Sequence, residues 1–237
     1  MLDSSVKREV IFIAEIGMNH NGNLDLLHSL IKSSKESGAN ISKLQLGWRC
    51  KKGEINHITE KDLENIFNIA EYYDQDLMFS ILTSEAFEMI KPFKPKYYKI
   101  ASRTVVDDPG LVKSILEENI HTFISLGFWK KEGLPFIQRD NIDYLWCKSL
   151  YPTPAWDLID LPKKFDRTPY AGISDHSVGI EASLLAISRG AVVVEKHFTY
   201  DKSDTTIRDH ALSITPKEFS HLVNLGKEIS KITYQSI

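Results

Sequence analysis

The 237-residue sequence contains only two cysteines, Cys50 and Cys147, and they stand far apart in the chain. Two separated cysteines provide no disulfide framework and are typical of a reducing compartment, so we expect a cytoplasmic location. Apolar runs are also short, and the apolar segment 10–16 is interrupted by Glu15. A membrane span needs roughly 18 consecutive apolar residues, so we expect neither a span nor a signal peptide.

Neither positive nor negative residues are in large excess, and the formal net charge is −3 at pH 7. Proteins that bind nucleic acid or an anionic membrane surface usually carry a basic excess. The composition therefore predicts neither a nucleic-acid partner nor a membrane partner.

Short apolar segments alternate with amphipathic segments along the whole chain. Helical spacing is clearest before Gly38, and Thr215 with Glu218 forms a capping-box pattern, whereas the segment 129–140 has only a weak helical pattern. This alternation predicts a parallel sheet, and eight units in roughly 200 to 250 residues favour one (β/α)8 TIM barrel, here a single domain of residues 1–237. The predicted strands are 10–16, 41–46, 77–82, 97–101, 121–126, 142–147, 170–174 and 191–196.

Polar residues recur at the carboxyl ends of the predicted strands, where barrel enzymes build their active sites. Each alone is compatible with a structural role, but an unpaired interior charge costs several kcal/mol, so a purely structural core would not collect them there. A strand period of two places Lys43 with Gln45, Ser174 with His176, and Glu195 with His197 on inward faces. The other residues at or just after strand ends are Glu15, Ser80, Lys99, Ser102, Ser125 and Ser149.

These residue types suit a phosphorylated anion and a divalent metal. Lys43 and Lys99, together with the serine hydroxyls, would bind a small phosphorylated anion. His176 and His197 end neighbouring strands and would share one divalent cation. The spacing leaves a third ligand open, and the nearby carboxylates that would complete the metal shell or orient the imidazoles are Asp175, Glu195 and Asp209.

Seven short segments resemble the sialic acid synthase family in order and spacing. They are 14–22 (AEIGMNHNG), 43–45 (KLQ), 98–102 (YKIAS), 151–154 (YPTP), 174–176 (SDH), 195–199 (EKHFT) and 209–210 (DH). The resemblance implies an enzyme that condenses phosphoenolpyruvate with an N-acetylated hexose such as N-acetylmannosamine. It implies a nine-carbon 2-keto-3-deoxy acid as product and the release of phosphate.

The same resemblance implies roles for individual residues. His176 and His197 would bind Mn²⁺, or alternatively Mg²⁺ or Co²⁺, which activates the sugar aldehyde. The catalytic set would be Glu15, His176, His197 and Asp209, with Glu15 also moving a proton. The residues implied to hold phosphoenolpyruvate are Lys43, Lys99, Ser102, Ser125 and Ser174, and those implied to face the sugar are Glu15, Gln45, Tyr151 and Asp209. Ser80 and Ser149 join the expected substrate-binding set by their positions at or after strand ends.

The sequence departs from the family pattern at several site positions. Ile81 and Thr104 replace a threonine and a glutamate, so a phosphate-contacting hydroxyl and a carboxylate are expected to be lost. Arg103 adds a cation beside the site, Ile207 and Arg208 replace Gly-Pro, and Ser149 replaces an asparagine. These changes favour an altered acceptor, and they leave a non-catalytic ligand-binding homologue open. Lys99 at a strand end leaves a Schiff-base aldolase open as well.

The family's C-terminal antifreeze-like domain, which reaches over a partner's barrel, is not expected after the eighth helix. We therefore hypothesise that either a homodimer or a separate antifreeze-like lid protein encloses the sugar. The segments 47–58 and 199–214 are predicted to be the only long βα loops, and they would fold over the barrel mouth.

Overall fold

Eight parallel strands form a closed barrel in the computed structural model, which describes residues 9–235. Each strand pairs with the next in the chain, and the eighth pairs with the first. This confirms the predicted (β/α)8 TIM-barrel fold. The first eight and last two residues of the predicted domain lie outside the described residues.

All eight predicted strands are found, and their ends differ from the prediction by no more than two residues. The strands are β1 Ile11–Gly17, β2 Ile41–Leu46, β3 Asp76–Ile81, β4 Tyr97–Ile100, β5 His121–Ser125, β6 Ile142–Cys147, β7 Tyr170–Asp175 and β8 Val193–His197. The helices are α1 Leu24–Glu36, α2 Glu60–Tyr72, α3 Ser84–Ile90, α4 Ser102–Asp107, α5 Pro109–Glu117, α6 Glu181–Ser188 and α7 Pro216–Gln235.

Local sequence explains where the long helices begin and end. Asn23 caps α1 with its side-chain oxygen, and Gly38 follows that helix at φ +89°, a backbone conformation that favours glycine. Thr215 and Glu218 form the predicted capping box, in which the Glu218 carboxylate accepts from the Thr215 amide at 2.8 Å. No helix within residues 9–235 has both the length and the apolar character needed to cross a membrane.

Two long connections run without an α-helix, namely 126–141 after β5 and 148–169 after β6. The first agrees with the weak helical pattern at 129–140. The second makes the expectation of only two long loops wrong. Its sequence contains Pro152, Pro154 and Pro162, and proline lacks the amide hydrogen that a helix interior requires.

The interior of the barrel is apolar only at its lower end, near the amino termini of the strands. A cluster of inward side chains fills that end, and its members are Ile13, Ile41, Met78, Phe123, Leu145 and Val193. Outward side chains such as Leu44 and Leu46 belong to a larger cluster between the strands and the helices. The lower cluster therefore forms a floor, and the side chains above it face the carboxyl-terminal mouth.

Candidate functional site

Directly above the apolar floor, the inward side chains become polar. Glu15 is in register with Lys43 on β2 and with His197 on β8. Ser174 on β7 is in register with Glu195 on β8. A further row crosses β2, β3 and β4, and its members are Gln45, Ser80 and Lys99. The strand period of two therefore brings the predicted residues to one end of the barrel.

Four buried charges of alternating sign form the centre of this layer, and we call Glu15, Lys43, Glu195 and Lys99 the charge cluster. The Lys43 ammonium lies 3.1 Å from Glu15 and 3.0 Å from Glu195. The Lys99 ammonium lies 3.8 Å from Glu195 and donates a hydrogen bond to Ser125 at 2.7 Å. Each of the four side chains is at most 5% exposed, so their charges act on one another with little solvent screening.

Burial and neighbouring charges give the carboxyls of Glu15 and Glu195 very different pKa values. Burial raises the pKa of Glu15 to about 7, against the opposing effect of Lys43. Burial also acts to raise the pKa of Glu195, but the ammonium groups of Lys43 and Lys99 outweigh it and lower that pKa to about 2. Protonation of Glu15 leaves Glu195 as the one carboxylate that faces Lys43 and Lys99, which favours positive charge in the cluster, although burial lowers the pKa of Lys99.

Hydroxyl groups surround the charge cluster. The Ser174 hydroxyl donates to Glu195 Oε1 at 2.7 Å, while the second oxygen of Glu195 is buried and has no hydrogen-bond partner within residues 9–235. Ser102 and Ser149 hydrogen bond to each other at 2.9 Å. Ser102 is the first residue of α4, just after the end of β4. Positive charge, hydroxyls and an unsatisfied acceptor together suit a small anionic ligand that also carries a donor or bound water.

The two histidines lie side by side at the ends of β7 and β8. Their ring centroids are 5.6 Å apart, and the Tyr151 ring lies 4.2 Å from the His176 ring. Burial lowers the pKa of His176 to about 3 and that of His197 to about 4, so both imidazoles are neutral at pH 7. Neutral imidazole is the form that binds metals.

The ring nitrogens differ in how they are satisfied. His176 Nδ1 lies 2.6 Å from the carbonyl oxygen of Lys148, which leaves its Nε2 for another partner. His197 Nδ1 is buried and has no hydrogen-bond partner in the part of the chain that the structure describes. A divalent cation fits this pair of donors, although residues 9–235 contain no group of three or more His, Cys, Asp or Glu side chains arranged to hold one. Further ligands would have to come from substrate or water.

The prediction that Asp175 belongs to the metal shell is wrong. Asp175 points away from the barrel interior because it lies between the inward Ser174 and His176 on a strand. Its carboxylate pairs with the buried ammonium of Lys196 at 3.1 Å and accepts from Ser183 at 2.7 Å. Of the other two candidates, Glu195 lies in the charge cluster, and Asp209 lies close enough to raise the pKa of His197 by its charge.

The residues at which this sequence departs from the family pattern lie in different parts of the structure. Ile81 is fully buried in the cluster outside the barrel, so it does not line the polar layer. Thr104 is buried in α4, and the Arg103 guanidinium lies 5.0 Å from the Phe128 ring with its side chain 69% exposed. Arg208, in contrast, lies over Tyr151, with 4.4 Å between the guanidinium carbon and the ring centroid.

The turn at 18–22 ties both loops that flank the mouth to the barrel. Asn19 Nδ2 donates to Ser213 at 2.9 Å, and Asn21 Nδ2 donates to Asp204 at 2.7 Å, which fixes the loop 199–214. His20 lies 3.1 Å from Asn56, and so fixes the loop 47–58. Both loops are therefore anchored to the turn that follows β1.

Sequence reasoning left several residues near the site without a role. Cys147 is buried at the end of β6, and Gly127 passes so close that an added Cβ would lie 2.6 Å from its sulfur. Burial raises the pKa of the Cys147 thiol. The side chains Asn19, His20, Asn21 and His210 all lay in the segments that carry the family resemblance, which was the available signal.

A cavity of about 340 Å³ lies at the opposite end of the barrel. Its cations are already paired, Lys35 with Asp74 at 3.3 Å and Lys96 with Asp76 at 2.6 Å. None of the residues that line this cavity belongs to the segments that resemble the family.

Comparison with known proteins gives concordant similarities. Residues 50–236 match the NeuB family. Pseudaminic acid synthase of Campylobacter jejuni is 31% identical over 93% of this chain and 74% of its own length. N,N'-diacetyllegionaminic acid synthase of the same species is 29% identical over 94% of this chain and 77% of its own length. The solved N-acetylneuraminic acid synthetase of Leptospira borgpetersenii has a TM-score of 0.79 at 25% identity, covering 98% of this chain and 89% of that chain.

Proposed function

This chain belongs to the NeuB family, and on that premise we propose that it joins phosphoenolpyruvate to the aldehyde carbon of an N-acylated amino sugar and releases phosphate. The product would be a sialic-acid-like 2-keto-3-deoxy nonulosonic acid. The observation that carries the proposal is the buried charge cluster, with two lysines, beside two neutral, buried imidazoles. Relatives named for N,N'-diacetyllegionaminic acid and N-acetylneuraminic acid support an N-acylated acceptor such as N-acetylmannosamine.

Phosphoenolpyruvate would occupy the half of the site between β2 and β7. Its phosphate and carboxylate are anionic, and Lys43 and Lys99 are the buried ammonium groups available to neutralise them. Serine hydroxyls would donate to the remaining oxygens. These serines are Ser80, Ser102, Ser125, Ser149 and Ser174.

The sugar would occupy the half of the site near β1 and β8. Gln45 donates to Glu15 at 2.9 Å, and Tyr151 and Asp209 border the two histidines from the mouth. His176 and His197 would hold a divalent metal, first Mn²⁺ and alternatively Mg²⁺ or Co²⁺. When bound, such an ion would polarise the aldehyde carbonyl.

Glu15 is suited to move the protons that the reaction requires. As C3 of phosphoenolpyruvate bonds to the aldehyde carbon, the neutral carboxyl of Glu15 gives its proton to the aldehyde oxygen. Water then adds at C2 and returns one proton to Glu15. As the C2–O bond to phosphate breaks, the new C2 hydroxyl becomes the keto carbonyl, and its proton leaves with the phosphate. A pKa near the working pH is what such an exchange needs, and burial supplies it.

We predict that turnover falls as pH rises through about 7, the pKa of Glu15 in the folded protein. The rate falls with rising pH because the protonated carboxyl is the proton donor and is lost above that pKa. Well above the pKa, the rate should fall by about tenfold per pH unit. The measurement is kcat/KM for the acceptor between pH 6 and 9. Glu15→Gln should lack this limb, and an unchanged profile in that variant would assign the titration to another group.

Lys99→Met should weaken phosphoenolpyruvate binding by about 10- to 100-fold, since a hydrogen bond to a charged group contributes roughly 1.5 to 3 kcal/mol. The variant keeps the aliphatic stem and removes the ammonium that donates to Ser125. Calorimetric titration measures the change. Unaltered affinity would remove Lys99 from the anion pocket.

Burial lowers the pKa of Lys99, which is also the property of a Schiff-base lysine. Borohydride trapping with pyruvate separates this second function from the first. A trapped adduct at Lys99 would favour the aldolase, and no adduct together with phosphate release would favour the synthase.

A screen of acceptor sugars with phosphoenolpyruvate and Mn²⁺ tests the proposed function directly. Phosphate release that depends on an N-acylated sugar is the expected result. Tight phosphoenolpyruvate binding without phosphate release from any acceptor would instead indicate a ligand-binding homologue.

A further inference from the structure

Arg208 lies at the outer edge of the sugar half of the site, directly before Asp209. It begins the short turn Arg208–Leu212, whose backbone is held in place from below. The Ser213 hydroxyl donates to the Asp209 carbonyl oxygen at 2.6 Å, and Asn19 in turn donates to Ser213. The Arg208 side chain is 64% exposed, so an accessible cation extends from a fixed segment of backbone.

The guanidinium of Arg208 is stacked in a row that leads into the site. Its carbon lies 4.4 Å from the centroid of the Tyr151 ring, and that ring lies 4.2 Å from the His176 ring. An aromatic face attracts a guanidinium and aligns its plane, which directs the N–H groups sideways. Arg208 therefore forms the outer wall of the space above the two histidines.

The hydrogen bonds of Arg208 leave one donor side of the guanidinium available. Its Nε and Nη2 both donate to the same oxygen of Asp209, Oδ1, at 3.2 and 3.1 Å. Within residues 9–235, neither Nη1 of Arg208 nor Oδ2 of Asp209 has a hydrogen-bond partner. A guanidinium has five N–H donors, so Nη1 of Arg208 remains a free donor beside the ion pair with Asp209.

The charges of Arg208 and Asp209 largely cancel at this distance. A phosphate placed here would face the Asp209 carboxylate, and like charges a few ångströms apart repel each other strongly at a partly buried site. An uncharged acceptor suits the free donor of Arg208 better. The carbonyl oxygen of an amide is such an acceptor.

We propose that Arg208 and Asp209 form a specificity subsite for the N-acyl amide of the acceptor sugar. Arg208 Nη1 donates to the acyl carbonyl, and Asp209 holds the guanidinium in place through Nε and Nη2. The inference rests on the proposed function and names the group of the acceptor that is recognised. Arg208 stands where the family resemblance implies a proline, which has no side-chain donor.

The test compares two sugars that differ at the amide. N-acetylmannosamine carries the N-acyl group and mannose does not. Ligand-observed NMR titrations on the Mg²⁺-loaded protein, without phosphoenolpyruvate, measure both affinities. Arg208→Ala should weaken N-acetylmannosamine binding about tenfold and change mannose binding less than about twofold, as for one charge-assisted hydrogen bond.

Arg103→Ala is the matched control. Arg103 is also an exposed arginine over an aromatic ring, but its partner is Phe128. This variant should leave both affinities unchanged. Arg208→Lys should recover only part of the lost affinity, because an ammonium lacks the planar fork that binds Asp209 and the amide together.

Several results would overturn the inference. They are equal weakening of both sugars, no weakening of either, no binding of N-acetylmannosamine to the unmodified protein, and tighter binding of N-acetylmannosamine 6-phosphate that depends on Arg208. The binding measurement is independent of turnover. A failure to release phosphate would therefore refute the proposed reaction without affecting the amide selectivity.

Discussion

Replacing His197 with alanine is expected to reduce metal-dependent turnover by about 100- to 1000-fold, the size found when one electrostatic stabiliser of a transition state is removed. The physical reason is the pairing of two neutral imidazoles whose ring centroids are 5.6 Å apart. One imidazole alone would bind a divalent cation weakly. Steady-state phosphate release, measured with saturating phosphoenolpyruvate and acceptor, gives the effect on turnover.

Metal binding gives a second readout that does not depend on activity. Calorimetric titration with Mn²⁺ should detect a site in the unmodified protein and lose it in His197→Ala. His121→Ala is the control, because His121 is also a strand histidine but binds Asp143 at 2.8 Å at the far end of the barrel. Full activity of His197→Ala after exhaustive chelation would refute the metal assignment.

Strand periodicity predicted most of the polar layer because it is a local property. Once β2 and β8 are recognised, alternation alone places Lys43 and Glu195 inward. Asp175 was the exception: proximity in sequence suggested a metal ligand, whereas the same alternation turns it outward to Lys196. The strand rule was therefore a better guide than nearness along the chain.

Contacts between distant loops could not be predicted in this way. Arg208 and Tyr151 belong to different βα connections, and no periodic pattern relates them. Their stacking depends on the path of the segment after β6, where prolines replace a helix. The same holds for Asn21, whose hydrogen bond to Asp204 joins residues 183 positions apart. The contacts between the loops that form the acceptor half of the site therefore could not be predicted from the sequence alone.

Lys43→Met is expected to lower the free energy of unfolding by about 3 to 5 kcal/mol, the usual cost of removing one partner of a buried ion pair. Lys43 lies within 3.1 Å of Glu15 and 3.0 Å of Glu195, and all three side chains are almost fully buried. Removing the ammonium leaves two carboxyls facing each other. Chemical denaturation of the variant and the unmodified protein measures the difference.

The loss of stability caused by Lys43→Met should become smaller as the pH falls. Burial already raises the pKa of Glu15 to about 7, and loss of Lys43 removes an influence that lowers it, so Glu15 takes up a proton more readily. A carboxyl with a raised pKa contributes stability that is present at low pH and is lost as pH rises through that pKa. Unfolding measured near pH 5 should therefore show a smaller difference than unfolding near pH 8.

The double variant Lys43→Met/Glu15→Gln separates unpaired charge from lost packing. It removes one of the two facing carboxylates and keeps the volume of both side chains nearly constant. If repulsion and desolvation cause the loss, the double variant should recover part of the stability near pH 8. A single variant as stable as the unmodified protein at both pH values would mean that Lys43 does not hold the charge cluster together, and its place in the anion pocket would then lack a structural basis.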